Sequence, residues 1–206
     1  MPDGLDQLIA LAAARPLDPA CGEFYFLRHG QTECNARQIF QAADEPLSAL
    51  GLQQAARAAE LLAKVPIRSI LCSDVQRALT TAQVVAAPHG IAPLLLQELR
   101  ERHFGALIGT SSAHIDWAGE PEGGETLLQF VTRKRAGLAL ALAQPAPVLV
   151  VAHGGSLFVL AALLGVPVDL GLMGNAQPLR FERIGPNWRV TSLLPAQQID
   201  GGAGVA

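Results

Sequence analysis

Glu23-Phe24-Tyr25-Phe26-Leu27-Arg28-His29-Gly30 is aromatic and extended in character, and it stops abruptly at a basic residue, a histidine and a glycine. Such a run reads as a buried strand with polar groups gathered at its carboxyl end. The pattern recurs along the chain. Ser69-Ile70-Leu71-Cys72 is a short strand candidate leading into Ser73-Asp74 and Arg77, Pro93–Leu96 is extended and leads into Glu98 to His103, and the all-apolar Val148–Ala152 leads into His153-Gly154-Gly155. Between these runs the apolar residues take helical spacing. Ser48 is placed to cap a helix carrying Leu52, Ala55, Ala56, Ala59, Leu62 and Ala63, and Ser73-Asp74 to cap one carrying Val75, Leu79, Ala82 and Ala86. Glu125–Leu142 is expected to be helical with Leu127, Val131, Leu138 and Leu142 on one side, and Phe158–Leu164 to be a buried helix. Arg180–Ile184 and Arg189–Leu193 look like a closing hairpin around Gly185-Pro186-Asn187-Trp188.

Strands alternating with helices imply an α/β fold with a mostly parallel sheet covered on both faces. In such folds sites gather beyond the carboxyl ends of the strands. Residues 1–22 read as an N-terminal extension, with a weak helix around Leu5–Ala14 before Arg15-Pro16-Leu17-Asp18-Pro19. The main domain is expected at 23–196 and a polar tail at 197–206.

Composition narrows the function. The 206 residues carry 15 Lys and Arg against 18 Asp and Glu, a net charge of -3, so there is no cationic excess for a nucleic-acid backbone. With 50% hydrophobic and 16% charged residues, the chain is suited to a well-buried interior and not to disorder. Cys21, Cys34 and Cys72 form neither an even disulfide framework nor a C-x-x-C pair, which suits a reducing cytosol. The apolar stretch Leu8–Ala14 follows Asp3 and Asp6 without a Lys or Arg, unlike a secretion signal. Ala136–Val168 is uncharged, but Gln144-Pro145-Ala146-Pro147 and His153-Gly154-Gly155 cut it into pieces shorter than the roughly 18 residues a membrane span needs. The expectation is a cytoplasmic protein with no membrane or nucleic-acid partner.

Two arginines and two histidines at neighbouring strand ends suit a phosphoryl group. Guanidinium forks hold its non-bridging oxygens, and a neutral imidazole attacks phosphorus. A carboxylic acid must then protonate the departing alkoxide. Taken singly the pieces are weak: Arg28-His29-Gly30 could be a strand end, His153-Gly154-Gly155 a packing turn, Arg77 a solvated helix face. Their common placement after strands turns them into a candidate site.

Leu27-Arg28-His29-Gly30-Gln31-Thr32-Glu33-Cys34-Asn35 resembles the signature of the histidine phosphatase superfamily, in its phosphoglycerate mutase-like branch. Asp44-Glu45-Pro46-Leu47-Ser48 with Gly51, Ser73 to Ala82, Leu99-Arg100-Glu101-Arg102-His103-Phe104-Gly105 and Val151 to Gly155 resemble its later blocks in order, over about Phe24 to Leu193. The resemblance implies a three-layer α/β/α sandwich with His29 as nucleophile, Arg28 and Arg77 as phosphate clamps, Glu101 as proton donor and His153 as a phosphate ligand. It also implies Asn35, Gln41, Thr32 and Gly154 as substrate-binding residues, with no metal and no cofactor. Glu98, three residues from Glu101, is expected on the opposite face of an extended segment as a structural acid or rim contact. His89, His103 and His114 are expected in surface or structural roles, and Cys34 and Cys72 as small hydrophobes.

The chain departs from the family pattern at Gln41-Ala42, where Gln-Gly is usual. It departs again at Ala106-Leu107-Ile108, where a tryptophan and an acid often stand, which removes a polar wall. The segment from Gly109 to Glu125 is shorter than the cap with which mutases enclose a bisphosphorylated intermediate. Hydrolysis of a small phosphorylated metabolite is therefore the expected function. A phosphoglycerate mutase and a non-catalytic phospholigand-binding module are the rival readings. The phosphate contacts leave the alcohol open among phosphoglycerates, sugar phosphates, nucleoside monophosphates and the ribazole phosphate of cobalamin synthesis.

Overall fold

The strands expected from the apolar runs assemble, in a computed structural model that describes residues 4–167 and 169–194, into one six-stranded sheet of order β3-β2-β4-β1-β5-β6. These are β1 (Glu23–Arg28), β2 (Ser69–Cys72), β3 (Leu94–Leu95), β4 (Val148–Ala152), β5 (Pro178–Ile184) and β6 (Asn187–Ser192). The pairings β1–β4, β2–β4 and β2–β3 are parallel, while β1–β5 and β5–β6 are antiparallel, so the sheet is mixed through its closing hairpin. That hairpin turns at Gly185-Pro186, more tightly than its sequence suggests, because Ile184 already pairs with Asn187. The polar tail expected at 197–206, together with residues 195 and 196, lies outside the described residues.

Both faces of the sheet are covered, which is why its inner strands are continuously apolar instead of alternating. Phe24, Phe26, Leu71, Val148, Val150 and Ala152 enter one core with α1 (Leu5–Ala13), α5 (Leu127–Leu142) and α6 (Gly154–Leu163). Tyr25, Leu27, Ile70, Cys72, Leu149 and Val151 enter the other with α3 (Ala49–Leu62) and α4 (Gln76–Ala86). The four-residue helix α2 (Glu33–Ala36) follows β1.

Helices α3 and α4 differ in detail from the sequence expectation. The buried stripe of α3 is Gly51, Ala55, Ala58, Ala59 and Leu62, leaving Leu52, Ala56 and Ala63 exposed; Ser48 does cap the helix, accepting from the Gly51 N–H. Ser73 and Asp74 do not cap α4, which starts after Val75 without a side-chain cap, because both are engaged elsewhere. Helix α1 is well docked: Leu5, Leu8 and Ala12 are fully buried against α5 and α6, and the Leu17 N–H donates to Leu163 O at 2.9 Å.

Register sets the site. Arg28 pairs with Ala152 and Cys72 with Val151, so β1, β4 and β2 end side by side. The next residues continue the ladder, with His29 N–H on Ala152 O and Ser73 N–H on Val151 O, each at 3.0 Å.

Candidate active site

A pocket of about 260 Å³ opens beyond these strand ends, lined among others by Arg28, His29, Arg77, Glu101 and His153. The His29 and His153 rings meet edge to face with centroids 5.2 Å apart. His29 Nδ1 lies 2.7 Å from Gly30 O, and a carbonyl can only accept, so Nδ1 carries the proton and Nε2 keeps its lone pair. Burial first, then the guanidiniums of Arg77 and Arg28, hold the His29 imidazole well below its ordinary pKa of 6.5. Burial and the Arg77 charge do the same to His153. His153 Nε2 is 2.9 Å from Ser73 Oγ, and its buried Nδ1 has no partner among the described residues.

Arg28 and Arg77 are both anchored by backbone carbonyls. Arg28 Nη1 donates to Met173 O at 2.7 Å, and Arg77 Nη1 to Ala42 O at 2.8 Å, while the buried Nε of Arg77 has no partner among the described residues. Burial lowers the Arg77 pKa to about 10, below the ordinary guanidinium range.

Glu101 is held at two points: Oε1 accepts from the Arg102 N–H at 3.0 Å and Oε2 from the Gly155 N–H of the first turn of α6 at 2.7 Å. A Cβ on Gly155 would stand 2.5 Å from Glu101 Oε1 and 2.6 Å from the Trp117 ring, so only glycine permits this approach. From beneath, Arg133 of α5 donates to the carbonyls of Glu98 and Arg100, both at 2.9 Å, and of Glu101 at 3.1 Å, and pairs with Glu125 at 2.6 Å. The fully buried Lys134 donates to Arg100 O. Burial pushes that amine well below the ordinary lysine range.

Asn35, Gln41 and Gly154 line the pocket. Thr32 does not. Its hydroxyl donates to Gln41 Oε1 and accepts from the Asn35 N–H, each at 3.0 Å, so it supports those two side chains from behind. Glu98 is also outside the lining, in a 3-10 turn at Gln97–Leu99 instead of an extended run, with its Cβ against Gly137 of α5. His89 and His114 stay outside the pocket, whereas the exposed His103 stands at its rim with Nδ1 3.1 Å from Gly123 O. Burial pushes the Cys72 thiol to about 12, and burial with the neighbouring Glu45 raises Cys34.

Several contributors carry no local sequence signal. Ser73 resembles a helix cap. Asn175, far along the chain, donates to His29 O at 3.0 Å, and Ala176 N–H donates to Arg28 O at 2.9 Å from a left-handed conformation, φ 47°. Phe40, Phe104, Ile115, Trp117, Phe158 and Met173 contribute to the apolar part of the wall. Among the described residues, no three His, Cys, Asp or Glu side chains gather as a metal site, and no helix is long and apolar enough to cross a membrane.

Comparison with known proteins places this arrangement. Agropine synthesis reductase of Rhizobium rhizogenes is 35% identical over 181 residues, 82% of this chain, but the chain spans only 41% of that relative's length. The glucosyl-3-phosphoglycerate phosphatase of Mycolicibacterium vanbaalenii is 38% identical over 180 residues, covering 73% of this chain and 79% of that protein. The solved structure of a mycobacterial glucosyl-3-phosphoglycerate phosphatase complexed with VO3 superposes with a TM-score of 0.70 at 33% identity, over 82% of this chain and 97% of that one. Residues 24–193 match the sequence profile of the histidine phosphatase superfamily (branch 1), and the chain belongs to that family.

Proposed function

We propose that the chain hydrolyses small phosphomonoesters through a phosphohistidine at His29. The observation that carries this reading is the His29 Nδ1–Gly30 O contact of 2.7 Å, which leaves an imidazole lone pair beside two buried guanidiniums. In the first half-reaction, His29 Nε2 attacks phosphorus and the P–O bond to the alcohol breaks. The Glu101 carboxylic acid gives its proton to the leaving oxygen. In the second, water attacks the phosphohistidine, its proton passes to the Glu101 carboxylate, and the N–P bond breaks to release inorganic phosphate. Arg28, Arg77 and His153 are assigned to the non-bridging oxygens, with Asn35, Gln41 and Gly154 around the substrate. The fixed positive charge of the two arginines meets the developing charge on those oxygens, so the reaction is assigned no metal ion. The relatives named glucosyl-3-phosphoglycerate phosphatase support hydrolysis over the mutase alternative. The three unpaired cysteines suit a cytoplasmic location.

Rapid quench of EDTA-treated enzyme with radiolabelled substrate tests this reading. An acid-labile, base-stable adduct is expected on His29, absent from His29→Ala together with turnover. A label on His153 or on a serine, or activity that returns only with added divalent ion, would overturn it.

A further inference from the structure

We propose that the alcohol accepted by this pocket is uncharged and presents an apolar, ring-sized face, with one hydrogen-bonding group met by Ser112. This rests on the phosphatase reading and names its substrate class.

The first observation is the wall. Beyond the phosphate residues the pocket is bounded by side chains already packed on one another: Phe40 on Phe104 with centroids 4.4 Å apart, and Phe104 on Trp117 at 5.9 Å, joined by Ile115, Phe158 and Met173. Such surfaces favour an apolar partner and penalise a charge brought out of water.

The second is where the cations are. Of the four arginines on the lining, Arg28 and Arg77 stand at the histidines. Arg100 is held by both Nε and Nη2 on Asp74, each at 2.6 Å. Arg102 gives Nε to Glu125 O, Nη1 to Trp117 O and Nη2 to Gly119 O, at 2.9, 2.6 and 2.6 Å. Among the described residues, no lysine is on the lining. A phosphoglycerate brings a carboxylate in addition to its phosphate, and that carboxylate would meet aromatic surface and guanidiniums already engaged.

The third is Ser112. It is 2% exposed, it lines the pocket, and its Oγ has no hydrogen-bond partner among the described residues. A buried hydroxyl without a partner is unfavourable, and one group on the ligand relieves it. Ser112 therefore acts as a polar anchor beside the aromatic part of the wall.

The test compares kcat/KM for 2-phenylethyl phosphate, 2-hydroxy-2-phenylethyl phosphate and 3-phosphoglycerate, with p-nitrophenyl phosphate as the reference. 2-Phenylethyl phosphate should exceed 3-phosphoglycerate by about a hundredfold. The added hydroxyl should improve kcat/KM in the wild type and give no gain in Ser112→Ala. Ile108→Arg, at a rim position 37% exposed, adds a cation to the wall and should move the preference at least about tenfold toward 3-phosphoglycerate. Equal or better turnover of 3-phosphoglycerate by the wild type, with p-nitrophenyl phosphate hydrolysed, would overturn this inference and leave the phosphatase reading standing. A hydroxyl gain that persists in Ser112→Ala would overturn the anchor. No phosphate release from any of the four esters would overturn the phosphatase reading and the inference with it.

Discussion

Glu98 and Glu101 lie three residues apart and end in different surroundings. The 3-10 turn puts Glu98 over Gly137 of α5, while Glu101 enters the pocket and is fixed by the Arg102 and Gly155 amides. An acid in that place matters most when the leaving alkoxide is poor. Glu101→Gln should lower kcat/KM for an alkyl phosphate by about 10²–10⁴-fold and affect p-nitrophenyl phosphate far less, because that phenolate leaves unaided. Glu98→Gln should show no dependence on the leaving group. Equal slowing of both esters by Glu101→Gln, or the differential appearing in the Glu98 variant, would remove Glu101 from the proton-donor role.

At the scale of elements, helices on one face of the sheet support the site. Helix α5 grips the acid-bearing segment through Arg133 and Lys134, and α6 offers its first turn to Glu101. Helix α1 packs on both, with Leu8 fully buried. Leu8→Ala should therefore cost about 2–5 kcal/mol, the range for a large side chain removed from a packed core. Urea unfolding should show it as a lower midpoint at unchanged slope. A midpoint equal to that of the wild type would mean that α1 contributes nothing to the fold's stability.

For the whole molecule, two buried histidines held neutral couple stability to pH. Their folded pKa values lie well below 6.5, whereas in the unfolded chain they bind protons near that value. Below pH 6.5 the unfolded state therefore takes up more protons. Stability falls as pH drops from there toward the folded pKa values, and above 6.5 these rings add no slope. Each ring contributes up to about 1.4 kcal/mol per pH unit within that window. Urea midpoints measured at about pH 7.5, 6.0 and 5.0 should fall, and the double variant His29→Gln/His153→Gln should flatten the decline. A decline of the same steepness in the double variant would assign it to other groups. The paired carboxylates of Asp74 and Glu125, whose pKa values are lowered, act in the more acid range.

How much was legible in the sequence follows from the range of the forces involved. Val148–Ala152 and Ser69–Cys72 are strands with the bounds their apolar runs announced, because complete burial on both faces demands an unbroken apolar segment. Arg28, His29, Arg77, Glu101 and His153 were legible because a parallel sheet delivers strand-end residues to one rim, and local motifs mark those ends. Thr32 could not be told from a ligand-facing residue: its hydroxyl answers to Gln41 and Asn35, and only the folded loop shows which way it is committed. The same holds for Ser73 against His153, Asn175 behind His29 and Lys134 beneath Arg100, pairs separated by 80, 146 and 34 residues. Chain-local pattern decides strands and helices, while the start of α4 already depends on where Ser73 and Asp74 are engaged. Which groups hold each arginine of the pocket, Asp74 for Arg100 and the Trp117 and Gly119 carbonyls for Arg102, is decided by contacts between distant segments, and these exist only once the sheet and its two helical layers have closed.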